Sequence, residues 1–211
     1  PEVHEGQQLW ANQYVMLREG ERTALARMVT PELAEPIIPL RDPVWGIRPR
    51  NREQHYALDA CLREDIRLVT LVGKAGTGKT LLALAAGLAK VTDEESYQRL
   101  LCSRPVMPMG RDIGFLPGDI DDKLRPWMQP IHDNVEMLLG LGSRRDKTRR
   151  NRGINELVDL GVLEIEPLTY IRGRSIPNQF MVVDEAQNLT PHEVKTILSR
   201  AGDNTKIILT G

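Results

Sequence analysis

Eight consecutive residues, Gly73-Lys74-Ala75-Gly76-Thr77-Gly78-Lys79-Thr80, satisfy the pattern G-x-x-x-x-G-K-[ST] in full. Each residue type has a task at that spacing. The glycines let the backbone wrap until its N–H groups converge on an anion, and a helix opening at Lys79 adds positive potential there. Lys79 can then reach the outer phosphates of a nucleoside triphosphate, while the Thr80 hydroxyl ligates Mg²⁺. ATP and Mg²⁺ are the ligands the motif implies. Its flanks suit it, with the apolar run 68–72 before it and the helix-forming run 81–90 after it.

A second apolar run, Phe180-Met181-Val182-Val183, ends in Asp184-Glu185. In a chain that also carries a phosphate loop, Asp184 is placed to hold Mg²⁺ and Glu185 to orient or deprotonate an attacking water. The pair points to hydrolysis rather than transfer to a small acceptor. Gln187 and Asn188 follow in a loop suited to sensing the γ-phosphate. Thr190, Pro191 and Glu193 read as a helix cap, a proline at the first helical position and the partner of a capping box. The run 206–209 ends in Thr210, placed either as a γ-phosphate sensor or as an ordinary polar strand end.

These groups need a scaffold to bring them together. The pattern from residue 50 onward predicts helices over 51–64, 79–90 and 191–201 and strands over 67–72, 98–103, 162–166, 179–183 and 205–210. Between them lie a Gly/Pro-rich stretch at 104–118 and helical segments at 120–139, interrupted by Pro126 and Pro130, and at 153–160. Short apolar strands alternating with helices predict an α/β fold of the P-loop NTPase kind, a mostly parallel sheet covered on both faces.

Composition bounds the rest. With 211 residues, 41% hydrophobic and 27% charged, the chain can bury a full domain core. Its longest strongly apolar stretch, 81–89, is less than half of the ~20 residues a membrane span requires, so the expectation is a cytoplasmic protein with no membrane partner. Cys61 and Cys102 are too few for a thiolate zinc site, and His4, His55, His132 and His192 are too scattered for a histidine one. An aromatic content of 4% weighs against base stacking as the main mode of nucleic-acid binding.

Net charge is −1, but residues 1–40 carry −3 and residues 41–211 carry +2. Within the second part, Arg144, Arg145, Lys147, Arg149, Arg150 and Arg152 crowd against the lone anion Asp146. This run is either a solvated loop or a phosphate-backbone contact. Residues 1–40 read as a β-hairpin, with arms 13–18 and 23–29 around Glu19-Gly20-Glu21, followed by a linker punctuated by Pro31, Pro36, Pro39 and Pro43. A hairpin alone is marginal, so this one is expected to pack on the main body or on an upstream module. The organisation expected is thus a hairpin-and-linker segment, 1–40, and an ATPase domain, 41–211.

Five segments taken together resemble the PhoH family of P-loop ATPases, whose core is RecA-like and related to superfamily 1 helicases. They are Arg50-Asn51-Arg52-Glu53-Gln54, the phosphate loop, Gly114-Phe115-Leu116-Pro117-Gly118, Tyr170-Ile171-Arg172-Gly173-Arg174 and Val183-Asp184-Glu185-Ala186-Gln187-Asn188. The hairpin and Trp45-Gly46-Ile47-Arg48-Pro49-Arg50-Asn51 resemble the longer members, in which a PIN ribonuclease domain precedes the ATPase. Residues 1–40 contain no aspartate, so the acidic cluster of such a nuclease would lie upstream of Pro1. The family continues beyond Thr210-Gly211, and the chain reads as the middle of a longer protein.

The resemblance implies further roles. Gln54, three residues after Asn51, is similar to the glutamine that reads adenine in related helicases, although the same pair could simply cap a helix. Arg104, Arg172 and Arg174 are candidates for nucleic-acid contact or for an arginine finger acting on a neighbouring subunit. The function implied is Mg²⁺-dependent ATP hydrolysis by Lys79, Thr80, Asp184 and Glu185, coupled to RNA or single-stranded nucleic acid in a homo-oligomer such as a hexameric ring. The alternative is an ATP-dependent switch with little turnover.

Overall fold

A computed structural model describes residues 8–106, 120–142, 153–171 and 173–211. Three short strands come first, β1 (Tyr14–Glu19), β2 (Arg22–Met28) and β3 (Ala34–Pro36), in an antiparallel sheet of that order. The remaining elements mix helices and strands. They are α1 (Arg52–Leu62), β4 (Leu68–Leu71), α2 (Lys79–Leu88), β5 (Arg99–Arg104), α3 (Ile120–Gly142) and α4 (Ile154–Asp159), then β6 (Leu163–Pro167), β7 (Gln179–Val183), α5 (Pro191–Arg200) and β8 (Lys206–Thr210). Strands β4 to β8 form one five-stranded sheet in the order β4-β8-β7-β5-β6, with every pairing parallel.

A parallel sheet must be covered on both faces, and the alternation within each strand shows how. Val69, Leu71, Leu100, Cys102, Phe180, Val182 and Ile208 pack with α1, α2, α3 and α4, whereas Leu101, Met181, Val183, Ile207 and Leu209 pack with Ile197 of α5 and with Leu168 and Ile171. Helix α2 lies against the sheet through small residues. A Cβ on Gly87 would come within 2.6 Å of Leu100 Cδ1 and 3.0 Å of the Phe180 ring, so only glycine allows this approach.

Two expectations are corrected. The helix over Pro126 and Pro130 is not interrupted; α3 runs through both. Both prolines are exposed, while Met128, Ile131, Val135, Leu138 and Leu139 form a buried stripe opposite. Burying that stripe, at roughly 1.5–3 kcal/mol per large side chain, outweighs a proline cost of about 3 kcal/mol. The expected hairpin gains a third strand from the proline-rich stretch read as linker, and β2 pairs with both neighbours.

This small sheet rests on α1. The Asp59 carboxylate, 1% exposed, accepts from the Tyr14 hydroxyl at 2.8 Å, the Ile38 N–H at 2.6 Å and Arg63 Nε at 2.7 Å. The Arg27 guanidinium reaches Asp65 at 2.6 Å, and the rings of Tyr14 and Tyr56 stack with centroids 4.9 Å apart. Burial and the Asp59 contact push the Tyr14 phenol well above its usual range.

Lys206 is fully buried at the start of β8. Its ammonium donates to the carbonyls of Ala60 at 2.9 Å, Arg63 at 2.7 Å and Ile66, closing the C-terminal end of α1 onto the sheet. Burial lowers its pKa to about 8, so the charge and all three N–H donors persist at neutral pH. Lys206→Met strands these carbonyls and should cost about 2–4 kcal/mol, read as a lower urea midpoint at unchanged slope.

Candidate active site

Four strands present their carboxyl ends at one edge of the layer, where open α/β sheets bind ligands. The phosphate loop leaves β4, Arg104 ends β5, Asp184 follows β7 and Thr210 ends β8. Because β8 lies between β4 and β7, the end of β8 bridges the loop and the acidic pair.

The loop is shaped by its glycines. Gly76 and Gly78 have φ values of +76° and +87°, in the left-handed region, and Gly78 is the residue from which α2 springs. The Thr77 hydroxyl donates to the Lys74 carbonyl at 2.8 Å. Lys79 folds back over the loop, its ammonium 2.6 Å from the Gly73 carbonyl and 3.0 Å from that of Lys74. Beneath it the loop is anchored to β8, with Gly73 N–H donating to the Gly211 carbonyl at 3.2 Å and Gly211 N–H to that of Leu71 at 3.0 Å.

Thr80 and Asp184 are 104 positions apart in sequence but in contact, the Thr80 hydroxyl donating to Asp184 Oδ1 at 2.7 Å. The Thr210 hydroxyl, 1% exposed, donates to the same oxygen at 2.8 Å. Thr210 is therefore a buried partner of the carboxylate. The Thr80 hydroxyl and the Asp184 carboxylate fit Mg²⁺, a hard ion that prefers oxygen. Among the described residues no three His, Cys, Asp or Glu side chains converge as a metal cage. An ion here would complete its shell with phosphate oxygens and water, the usual manner for Mg²⁺.

Glu185 turns away from the strand with φ +54°, in the left-handed region uncommon outside glycine. Its carboxylate is engaged on both oxygens, Oε1 by Arg104 at 3.1 Å and Oε2 by the Gln187 side-chain amide. Gln187 and Asn188 form a short 3₁₀ turn, and Thr190 with Glu193 makes the expected capping box at the start of α5.

Gln54 sits beside the loop. Its amide donates to the Thr77 carbonyl at 3.1 Å and accepts from Arg50 N–H at 2.8 Å, while Asn51 caps α1 by accepting from Gln54 N–H at 2.8 Å. The capping alternative is thus realised, and Gln54 also ties α1 to the phosphate loop. One N–H and one lone pair of the amide are left over for a base. A cavity of about 750 Å³ opens there between Tyr56 on α1, the outer edge of β4 at Leu68 and Val72, and Lys79.

The arginines separate. Arg104 lies in the site, whereas Arg174 lies beside the outer strand β6, held there by Glu164 at 2.9 Å and by Glu166. Burial, then the Glu164 charge, raises the Glu166 carboxyl above the usual carboxylate range. Arg172, residues 144–152 and the Gly114–Gly118 segment lie outside the described residues. Both cysteines are buried thiols, Cys61 pushed up to about 12 by burial and Cys102 also raised, as expected of core residues rather than ligands.

Known proteins are similar to this chain over most of its length. The family model described as PhoH-like protein matches residues 46–211. The chain belongs to the PhoH family. Protein PhoH2 of Bacillus subtilis is 56% identical over 168 residues, covering 80% of this chain and 37% of the relative. Protein PhoH2 of Thermobispora bispora is 37% identical over 210 residues, 99% of this chain and 46% of the relative, a match long enough to take in the three-stranded sheet. The PhoH-like protein of Bacillus subtilis is 36% identical over 166 residues, 79% of this chain and 48% of the relative. The chain therefore spans less than half the length of these PhoH relatives. PhoH proteins are a P-loop ATPase family, and the phosphate loop and acidic strand end of this chain lie within the matched region. No helix among the described residues is long and apolar enough to cross a membrane.

Proposed function

We propose that the chain binds ATP with Mg²⁺ and hydrolyses it, and that the cycle is coupled to RNA or other single-stranded nucleic acid in a homo-oligomer such as a hexameric ring. The observation that carries the hydrolytic reading is the meeting of Thr80, Asp184, Glu185 and Lys79 at one sheet edge. Loop N–H groups and the α2 N-terminus bind the phosphates, and Lys79 exchanges the carbonyls of Gly73 and Lys74 for phosphate oxygens. Glu185 accepts a proton as a water oxygen bonds to the γ-phosphorus and the bond to the ADP oxygen breaks. When bound, Mg²⁺ neutralises phosphate charge, and Thr80 and Asp184 are the residues that would hold it. The base enters the cavity beside Gln54, and Gln187 and Thr210 report the state of the site to neighbouring elements.

Nucleic-acid coupling rests on the sequence, on the basic run 144–152 and on Arg172. In a longer polypeptide with a PIN ribonuclease ahead of the ATPase, as in the members this chain resembles, the cycle would drive RNA degradation. Phosphate release measured with and without single-stranded RNA tests the coupling, and the expectation is faster turnover with RNA. Replacing Arg149, Arg150 and Arg152 with alanine should weaken RNA binding and flatten its salt dependence. Unchanged affinity and an unstimulated rate would remove nucleic acid from the function.

One observation favours the alternative, a nucleotide-dependent switch with little turnover. Both oxygens of Glu185 are already engaged, by Arg104 and Gln187. Tight ATP binding with turnover at background, with and without RNA, would select that reading.

A further inference from the structure

Arg104 ends β5, and β5 pairs directly with β7, so its side chain emerges beside Asp184-Glu185. It is four-fifths buried there. One terminal nitrogen donates to Glu185 Oε1 at 3.1 Å, the other reaches the Trp127 carbonyl of α3 at 3.4 Å, and Nε lies 3.9 Å from Asp184 Oδ2. A planar guanidinium can serve all these partners from one fixed position, whereas a single ammonium can keep only the contact to Glu185. The Glu185 backbone is in the left-handed region, so the strand does not dictate where its carboxylate lies; the side-chain contacts do.

We propose that Arg104 is a positioning residue of the hydrolytic site, holding the Glu185 carboxylate in place for the attacking water and linking it to α3. The assignment rests on the hydrolytic reading of Glu185. It moves Arg104 away from direct nucleic-acid contact and makes α3 the element whose displacement would reset Glu185. In the contacts described Arg104 does not touch Lys79, Thr80 or the loop and approaches Asp184 only at 3.9 Å, so at saturating Mg²⁺ nucleotide binding is separable from its action.

The test compares the full chain with Arg104→Gln and Arg104→Lys, measuring steady-state phosphate release and, separately, equilibrium binding of a fluorescent ATP analogue. Expected is a fall in kcat of about tenfold or more for Arg104→Gln, with nucleotide affinity within twofold of the parent. Arg104→Lys, which keeps a charge able to reach one Glu185 oxygen, should recover a substantial part of that rate. A parental kcat in Arg104→Gln overturns the proposal. So does a loss of affinity that matches the loss of rate, which marks a structural residue, or a lysine variant no better than glutamine. If the parent itself turns over no faster than Lys79→Ala, the hydrolytic reading fails first and takes the Arg104 assignment with it.

Discussion

Replacing Lys79 with alanine is expected to lower ATP hydrolysis by about 10²- to 10³-fold and to weaken nucleotide binding, because it removes the ammonium that folds over the phosphate loop. In the structure that ammonium is satisfied by two loop carbonyls, Gly73 and Lys74. Those contacts are local and on the exposed side of the chain, and the loop is also held by Gly78 at the mouth of α2, by Gln54 and by the backbone pairing with Gly211. The variant should therefore fold with nearly parental stability, and its loss should show in binding and rate, not in the urea midpoint. A nucleotide-binding titration alongside a denaturation curve separates the two.

Glu185→Gln should act differently. The amide keeps the shape of the side chain but cannot take the proton of the attacking water, so kcat falls by about 10²- to 10⁴-fold. Asp184, Thr80 and Lys79 are untouched, and ATP affinity should remain close to parental. Binding without turnover is the signature, and it contrasts with Lys79→Ala, where binding suffers too. Loss of affinity equal to that of Lys79→Ala would mean that Glu185 serves the phosphate or metal site rather than the water.

The local parts of this site are legible in the sequence because each is contiguous. Gly73 to Thr80 declares itself by spacing, and Asp184-Glu185 by its place after four apolar residues. The β-strands are also readable, since fully buried parallel strands are short apolar runs bounded by polar turns. What a linear reading does not contain is strand order. That β8 lies between β4 and β7 decides that Thr210 meets Asp184, and that β5 lies beside β7 decides that Arg104 meets Glu185. Either threonine or arginine could have served elsewhere from position alone.

Two further features escaped the pattern for physical reasons. Proline is a helix breaker on average, but in α3 both prolines are solvent-facing and the buried stripe opposite them holds the helix. Lys206 is a charged residue in an otherwise apolar strand, and it is buried because the carbonyls of Ala60 and Arg63 at the end of α1 and of Ile66 ahead of β4 give its ammonium partners. The N-terminal sheet shows the same dependence on tertiary context. Its third strand comes from a proline-rich stretch, and its attachment depends on Asp59, a helix residue with nothing in its neighbourhood of sequence to mark it.

The most direct measurement is phosphate release from MgATP by the full chain, by Lys79→Ala and by Glu185→Gln, each at matched, saturating nucleotide and at equal folded concentration. The expected result is release by the parent at least about 10²-fold faster than by either variant, with Glu185→Gln still binding ATP. Equal rates in all three would contradict the assignment of this sheet edge as the site of ATP hydrolysis.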